Sequence, residues 1–225
     1  MIVTIDGTAG SGKSTTAKLV AQKLGYKYID SGATYRALAF SVKKNKIDPK
    51  DENKITKLSK KIRIDFQEER VFLNGEDITE RIRDEEISKF ASFCSIYKRV
   101  RENMVTLQRK LADRKDVVCE GRDIGTVVFP DAEVKIYMDA SIEERAKRRT
   151  KELIKSGIHK NIIDVERNIK ERDLQDKNRI HSPLCVPREA KIIDTTNLSI
   201  EEEVEKVIEI ITNSTCEVKV SDSEG

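Results

Sequence analysis

Residues Gly7-Thr8-Ala9-Gly10-Ser11-Gly12-Lys13-Ser14 match G-x-x-x-x-G-K-[ST] and lie between the β-branched run Ile2–Ile5 and a helical pattern. No other feature constrains the fold as much. Glycines let the backbone curl until successive N–H groups point into one concavity, and the helix start adds the positive end of its dipole. The segment Gly7 to Thr15 is therefore expected to cradle a phosphate chain. Lys13 would reach the terminal phosphates, and the Ser14 hydroxyl would ligate the magnesium that bridges them.

The rest of the chain repeats the strand–helix alternation. Short apolar runs at Ile2–Ile5, Tyr26–Ile29, Val117–Cys119, Val134–Met138 and Lys191–Ile193 predict parallel strands covered on both faces. Ser141-Ile142-Glu143-Glu144 and Ser199-Ile200-Glu201-Glu202 have capping-box spacing, so a helix should start at each. The last helix places Ile200, Val204, Val207, Ile208 and Ile211 on one face. One segment, Ile62–Ile82, breaks the alternation. Its period-2 apolar residues and the Asn74-Gly75 pair predict a small antiparallel meander inserted into the parallel fold. The polar stretch from Asn213 to Gly225 has no sustained pattern and is expected to be a disordered tail.

Composition narrows the function classes. In 225 residues, 43 basic and 40 acidic side chains leave a net charge of only +3, so no global field favours nucleic acid. Any anionic ligand must be met by locally clustered Arg and Lys. The four cysteines have no C-x-x-C spacing and there are two histidines, so free thiols are expected rather than a zinc site. With no basic leader ahead of an apolar run and no membrane-length apolar stretch, a cytoplasmic protein is expected.

A phosphate loop does not name a reaction. Asn45-Lys46-Ile47-Asp48 spells the N-K-x-D of guanine readers, but it lies only 32 residues past Lys13 and runs into a loop, so a turn is expected. Two polar segments follow predicted strands: Asp30-Ser31-Gly32-Ala33-Thr34-Tyr35-Arg36 and Glu120-Gly121-Arg122-Asp123. Ligands of open α/β sheets gather at the carboxyl ends of the strands. On a helix, Arg172, Asp176 and Arg179 would share one face at i, i+4 and i+7. Arg36, Arg122 and Arg179 thus offer three planar, forked donors suited to one phosphate. Taken singly, the late cluster also fits a solvated, salt-bridged face, and Arg122-Asp123 an exposed ion pair in a turn.

Together these boxes resemble the bacterial cytidylate kinases from Ile2 to about Ile211. The likeness runs through D-G-T-A-G-S-G-K-S-T, D-S-G-A-T-Y-R, E-G-R-D-I-G-T-V-V-F-P-D-A and I-K-E-R-D-L-Q-D-K-N-R. The resemblance implies a three-layer α/β P-loop kinase fold with a central parallel five-stranded sheet and a small antiparallel β insert. It implies one kinase domain over 1–212, with a core of about 1–54 and 91–212, an acceptor-binding insert of about 55–90 and a short lid of about 145–160. It further implies transfer of the ATP γ-phosphoryl group to CMP or dCMP with Mg2+, by a monomer that engages neither nucleic acid nor membrane.

By the same resemblance, Arg36, Arg122 and Arg179 hold the acceptor phosphate. Ser92, Arg101 and Asp123 read cytosine with Ser31 nearby, and Arg172 and Asp176 meet the sugar. Arg145, Arg148 and Arg149 belong to the lid. Lys13, Arg122, Arg179 and Asp123 form the catalytic set. Two positions depart from many family members: Glu120 stands where Asp is common, and position 14 is Ser where some relatives have Gly. The competing readings are a kinase of the same fold acting on UMP, a carbohydrate acid or a coenzyme precursor, a non-catalytic nucleotide switch, and nucleic-acid binding through Lys98–Lys110. For that last stretch an amphipathic helix with a solvated basic face is the simpler account.

Overall fold

A computed structural model describes residues 1–67, 69–113, 116–155 and 157–221. Its parallel sheet has the strand order β2-β6-β1-β7-β8, and a separate three-stranded antiparallel sheet has the order β3-β4-β5. The strands are β1 (Ile2–Gly7), β2 (Lys27–Asp30), β3 (Ile64–Gln67), β4 (Arg70–Leu73), β5 (Glu76–Asp77), β6 (Val117–Gly121), β7 (Val134–Asp139) and β8 (Lys191–Asp194). Every parallel strand was legible as an apolar run, and each extends to a polar residue or glycine at its carboxyl end.

The chain divides into two compact units, Met1–Tyr26 with Asp116–Gly225, and Lys27–Lys115. In the first, β1 pairs in parallel with β6 on one side and β7 on the other, and β7 pairs with β8. Val3, Ile5, Ile136 and Met138 are wholly buried, as strands covered on both faces require. Helices α1 (Lys13–Leu24), α6 (Ile142–Lys155), α7 (Ile162–Asn178) and α8 (Ile200–Ser221) belong to this unit. Ala146 and Leu153 of α6 pack with Val165 and Ile169 of α7 and with Ala9 of the phosphate loop.

The second unit holds α2 (Ser31–Lys44), α3 (Glu52–Ser59), the meander, α4 (Glu85–Cys94) and α5 (Lys98–Ala112). It is larger than the insert of about 55–90 expected from sequence, because one hydrophobic cluster runs through all of it. Leu38, Ile55, Val71, Leu73, Ile87 and Met104 join four helices and the small sheet in that cluster. Asn74 and Gly75 both take positive φ, 52° and 87°, the twist of a primed two-residue hairpin. The Asn45–Asp48 stretch is a turn, as expected, with Lys46 at φ 53° and the Asp48 carboxylate accepting from the Lys50 amide. Helix α5 buries Val100 and Met104 within Lys98–Lys110, and Leu111 just past it, as one apolar stripe.

Two helix ends depart from the sequence reading. The Ser141 hydroxyl accepts from the Glu144 amide at 3.2 Å, but the Ser141 amide donates to Thr196 Oγ1 and not to Glu144. Half of that capping box is thus replaced by a tertiary contact. Helix α8 continues to Ser221, through most of the expected tail, while 222–225 lie outside the described residues. Once nucleated, each further residue adds one backbone bond at little cost. The nucleus is strong: Val204, Val207 and Ile211 are buried, although Ile200 is 45% exposed.

The capping box at Ser199 is complete, its hydroxyl accepting from Glu202 N at 3.2 Å and its amide donating to Glu202 Oε2 at 2.8 Å. Ser199→Ala is expected to lower stability by about 1 kcal/mol. Urea unfolding should show this as a lower midpoint with an unchanged slope.

Candidate active site

The phosphate loop leaves β1 at Gly7 and enters α1 at Lys13, with Gly12 at φ 91° as the N-cap. A side chain at Gly12 would put its Cβ 2.6 Å from Glu203 Oε2, so both conformation and space demand glycine. The loop is braced from behind. Thr8 Oγ1 donates to Asp139 Oδ1 at 2.6 Å, and Thr195 Oγ1 donates to Ser11 O at 3.0 Å. Arg145 donates to Ala140 O and Ala9 O at 3.0 and 3.1 Å and pairs closely with Asp173. Asp173 Oδ1 in turn accepts the Ala9 amide at 3.2 Å.

Lys13 lies in the cradle, 5% exposed, with Nζ donating to Thr8 O at 3.0 Å. Burial pulls its pKa down to about 8, and Arg122 and Arg172 push the same way against Glu120 and Asp176. Ser14 Oγ donates to Glu120 Oε1 at 2.7 Å. A hydroxyl and a carboxylate at the start of α1 are hard oxygen donors, the set that suits magnesium shared with phosphates.

Beyond the cradle, Arg122 Nε donates to Asp176 Oδ2 at 2.9 Å, and Arg179 Nη1 lies 3.6 Å from Asp176 Oδ1. Arg179 Nη2 lies 3.8 Å from Asp123 Oδ1. Burial alone would raise the Asp176 carboxyl, but Arg122, Arg179 and Arg172 outweigh it and hold the group below its ordinary value. For Arg122, Asp176 and Glu120 overcome burial and raise its pKa. Arg179 does not continue the helix face as spacing suggested. Helix α7 ends at Asn178, Arg179 is extended (φ −65°, ψ 139°), and its Nε donates to Ser182 O. The Leu184 amide returns to Asp176 O at 2.8 Å, folding the following segment back over the helix end.

Asp123 precedes a π-helical turn, Ile124–Val128. The buried Asp6 carboxylate accepts the first two amides of that turn, Ile124 N at 2.8 Å and Gly125 N at 2.7 Å. Burial pushes the Asp6 pKa up to about 7 against those two amides.

In the second unit, Asp30 caps α2 through the Ala33 amide and holds Arg36 Nη2 at 2.7 Å, with Ser31 buried beside it in sequence. Arg101 is buried, its Nη1 donating to Ser95 O at 3.1 Å and its guanidinium 5.6 Å from the Tyr35 ring. Ser92 O accepts the Ser95 hydroxyl at 2.7 Å, so α4 and α5 bring the Ser92 and Arg101 segments together. Burial pushes the neighbouring Cys94 thiol up to about 12.

A family model described as cytidylate kinase matches residues 3–213. The chain belongs to the cytidylate kinase family. A cytidylate kinase of Caldanaerobacter subterraneus subsp. tengcongensis is 48% identical over 213 residues, 95% of each chain. One of Lactobacillus gasseri is 47% identical over 215 residues, 94% of each chain. A gluconokinase structure from Sinorhizobium meliloti superposes with a TM-score of 0.53 at 13% identity, covering 97% of this chain and 95% of its own. A shikimate kinase structure from Bacteroides thetaiotaomicron gives 0.50 at 14% identity, covering 94% and 98%. At such identities the two structures speak for the kinase fold alone. Family membership makes the chain an ATP-dependent phosphotransferase.

Helix α6 runs unbroken to Lys155 and carries the three arginines that the resemblance assigns to a lid. Arg145 is buried against Ala9 and Asp173. Arg148 donates to Glu203 at 2.9 Å and to Thr195 O at 2.7 Å. Buried Arg145 and half-buried Arg148 are each fixed in the frame by several acceptors at once. Arg149 is the exposed one, paired with Glu152 one turn away. Sequence reading missed Asp6, Asp139, Asp173, Thr195 and Glu203. Asp6 and Asp173 lay inside the boxes of the resemblance without a role assigned to them, and Asp139, Thr195 and Glu203 lay within or beside predicted elements. The abrupt polar end of each apolar strand run was the available signal for Asp6 and Asp139.

Nucleotide phosphates favour the Lys13 ammonium, so binding should raise its pKa from about 8 and drive proton uptake above that pH. Calorimetry with ATP in buffers of different ionisation enthalpy should show net uptake at about pH 9, with affinity falling as pH rises. Lys13→Arg should abolish the uptake, since a guanidinium stays charged.

Proposed function

We propose that the protein transfers the γ-phosphoryl group of ATP to CMP or dCMP, giving ADP and CDP or dCDP. The observation that carries this reading is the convergence of buried Lys13 and half-buried Arg122, Arg172 and Arg179 on Glu120, Asp123 and Asp176. These cations meet beside the glycine-rich loop, where the phosphates of a donor and an acceptor must be balanced together. A structural ion-pair network would have no use for Lys13 at the start of a glycine-rich loop.

Lys13 and the backbone amides of Gly7 to Thr15 hold the donor phosphates. Ser14 and Glu120 would hold a magnesium ion, which supplies charge neutralisation at those phosphates. Arg122 and Arg179 hold the acceptor phosphate, and its motif assigns Arg36 to the same group. An oxygen of that phosphate attacks the γ-phosphorus as the bond to the β-bridging oxygen breaks and ADP leaves. A phosphate monoester is ionised near neutral pH, so no general base is needed and catalysis is positioning and charge stabilisation. Arg122 and Arg179 balance the negative charge brought together in the transition state. Arg172 and Asp176 meet the sugar hydroxyls. Asp123 accepts from the cytosine N4 amine, and Ser92 and Arg101, with Ser31, read the remaining base edge. Uracil presents an acceptor where Asp123 needs a donor, which leaves a buried polar group unpaired.

ADP production from Mg-ATP, with CMP, dCMP, UMP, AMP, GMP and shikimate offered singly, should concentrate on the two cytidine nucleotides. Arg122→Ala should lose about 10²–10³-fold in kcat, and Asp123→Ala should erase the preference for CMP over UMP. ATP binding without acceptor-dependent turnover would instead favour a nucleotide switch.

A further inference from the structure

Asp6 immediately precedes Gly7 on β1, and the phosphoryl-transfer chemistry gives it no task. Its side chain is wholly buried, where a carboxylate is costly unless its oxygens are satisfied. Each oxygen takes one backbone amide, Oδ1 from Ile124 and Oδ2 from Gly125. These amides directly follow Arg122 and Asp123 in the chain. Gly125 has no slack on this side either. A Cβ there would lie 2.8 Å from Thr4 Oγ1, 3.1 Å from Pro187 Cγ and 3.2 Å from Asp6 Oδ2. The strand that delivers the phosphate loop therefore also grips the Arg122–Asp123 segment through a side chain.

We propose that Asp6 is a positioning residue for acceptor recognition. Its two-pronged hold on Ile124 and Gly125 sets the direction of Asp123 and so the discrimination between cytosine and uracil. This rests on the base-reading role given to Asp123 above. The shape of the contact also says why a carboxylate is needed. Asparagine has one acceptor and one donor at its tip, so in either orientation an NH2 would face a backbone N–H. Asp6→Asn keeps the volume and removes one prong. A residue serving only the fold would, when replaced, weaken both substrates alike or lower stability alone.

The test is kcat and KM for CMP, UMP and ATP in Asp6→Asn, Gly125→Ala, Asp123→Ala and the Asp6→Asn/Asp123→Ala double variant, with thermal unfolding of each. Asp6→Asn and Gly125→Ala should each lower the CMP-to-UMP ratio of kcat/KM by roughly tenfold, chiefly through KM for CMP, with KM for ATP near its starting value. In the Asp123→Ala background, Asp6→Asn should add nothing to that loss. An unchanged ratio in Asp6→Asn beside a lost one in Asp123→Ala overturns the inference and spares the base-reading role. Additive losses, or equal losses in both substrates, overturn it too. An Asp123→Ala protein that keeps the native ratio removes the base-reading role and the inference with it. Should Asp6→Asn fail to fold, Gly125→Ala carries the test, since it displaces the same turn and leaves the carboxylate in place.

Discussion

Buried positive charge has to be held in place by buried negative charge, and the first unit is organised around that requirement. Lys13 is buried, and the Arg179 and Arg122 side chains are only 8% and 18% exposed, where an unpaired cation is costly. Asp176 is the hinge of the arrangement. It accepts Arg122 on one oxygen and faces Arg179 with the other, while its own helix brings Arg172 close enough to bear on its charge. Burial lowers the Lys13 pKa, and Arg122 and Arg172 push the same way against Glu120 and Asp176.

The phosphate loop depends on a frame drawn from other parts of the same unit. Asp139 and Thr195 hold Thr8 and Ser11 from the ends of β7 and from just past β8. Arg145 and Asp173 take both polar groups of Ala9 from α6 and α7. Glu203 of α8 accepts from Thr16 at 2.6 Å and from Arg148 at 2.9 Å, against the face where Gly12 has no side chain. Loop amides keep their aim at an anion only while the rest of the loop's hydrogen-bonding groups are satisfied elsewhere.

Much of this was legible because local rules and tertiary structure agree. The five apolar runs became the five parallel strands, and Asn74-Gly75 became a primed turn, since period and turn chemistry act over a few residues. Arg122 and Asp123 were legible because their segment follows a strand end, and Asp176 because it shares a helix with Arg172. What escaped were contacts between segments distant in the chain. Nothing near Arg145 shows that Asp173 and Ala9 await it. Arg179 reaches Asp176 from an extended residue, because the helix stops one position short of it. The second unit spreads beyond the meander because α2 and α5 bury their apolar faces in the same cluster.

The π-helical turn after Asp123 bears on how the chain can vary. Its Val128 and Phe129 amides bond five residues back, to Asp123 and Ile124, while the Val127 amide bonds four back to Asp123. Such a turn holds one residue more than an α-turn and is stable only in that phase. Loops between strand and strand ordinarily accept insertions and deletions, yet this one has a fixed residue count. Removing Ile124 or Gly125 would put a different amide before each Asp6 oxygen. Between β6 and β7, therefore, the bonds to Asp6 depend on where Ile124 and Gly125 fall in the chain more than on the identity of half-buried Thr126 and Val127.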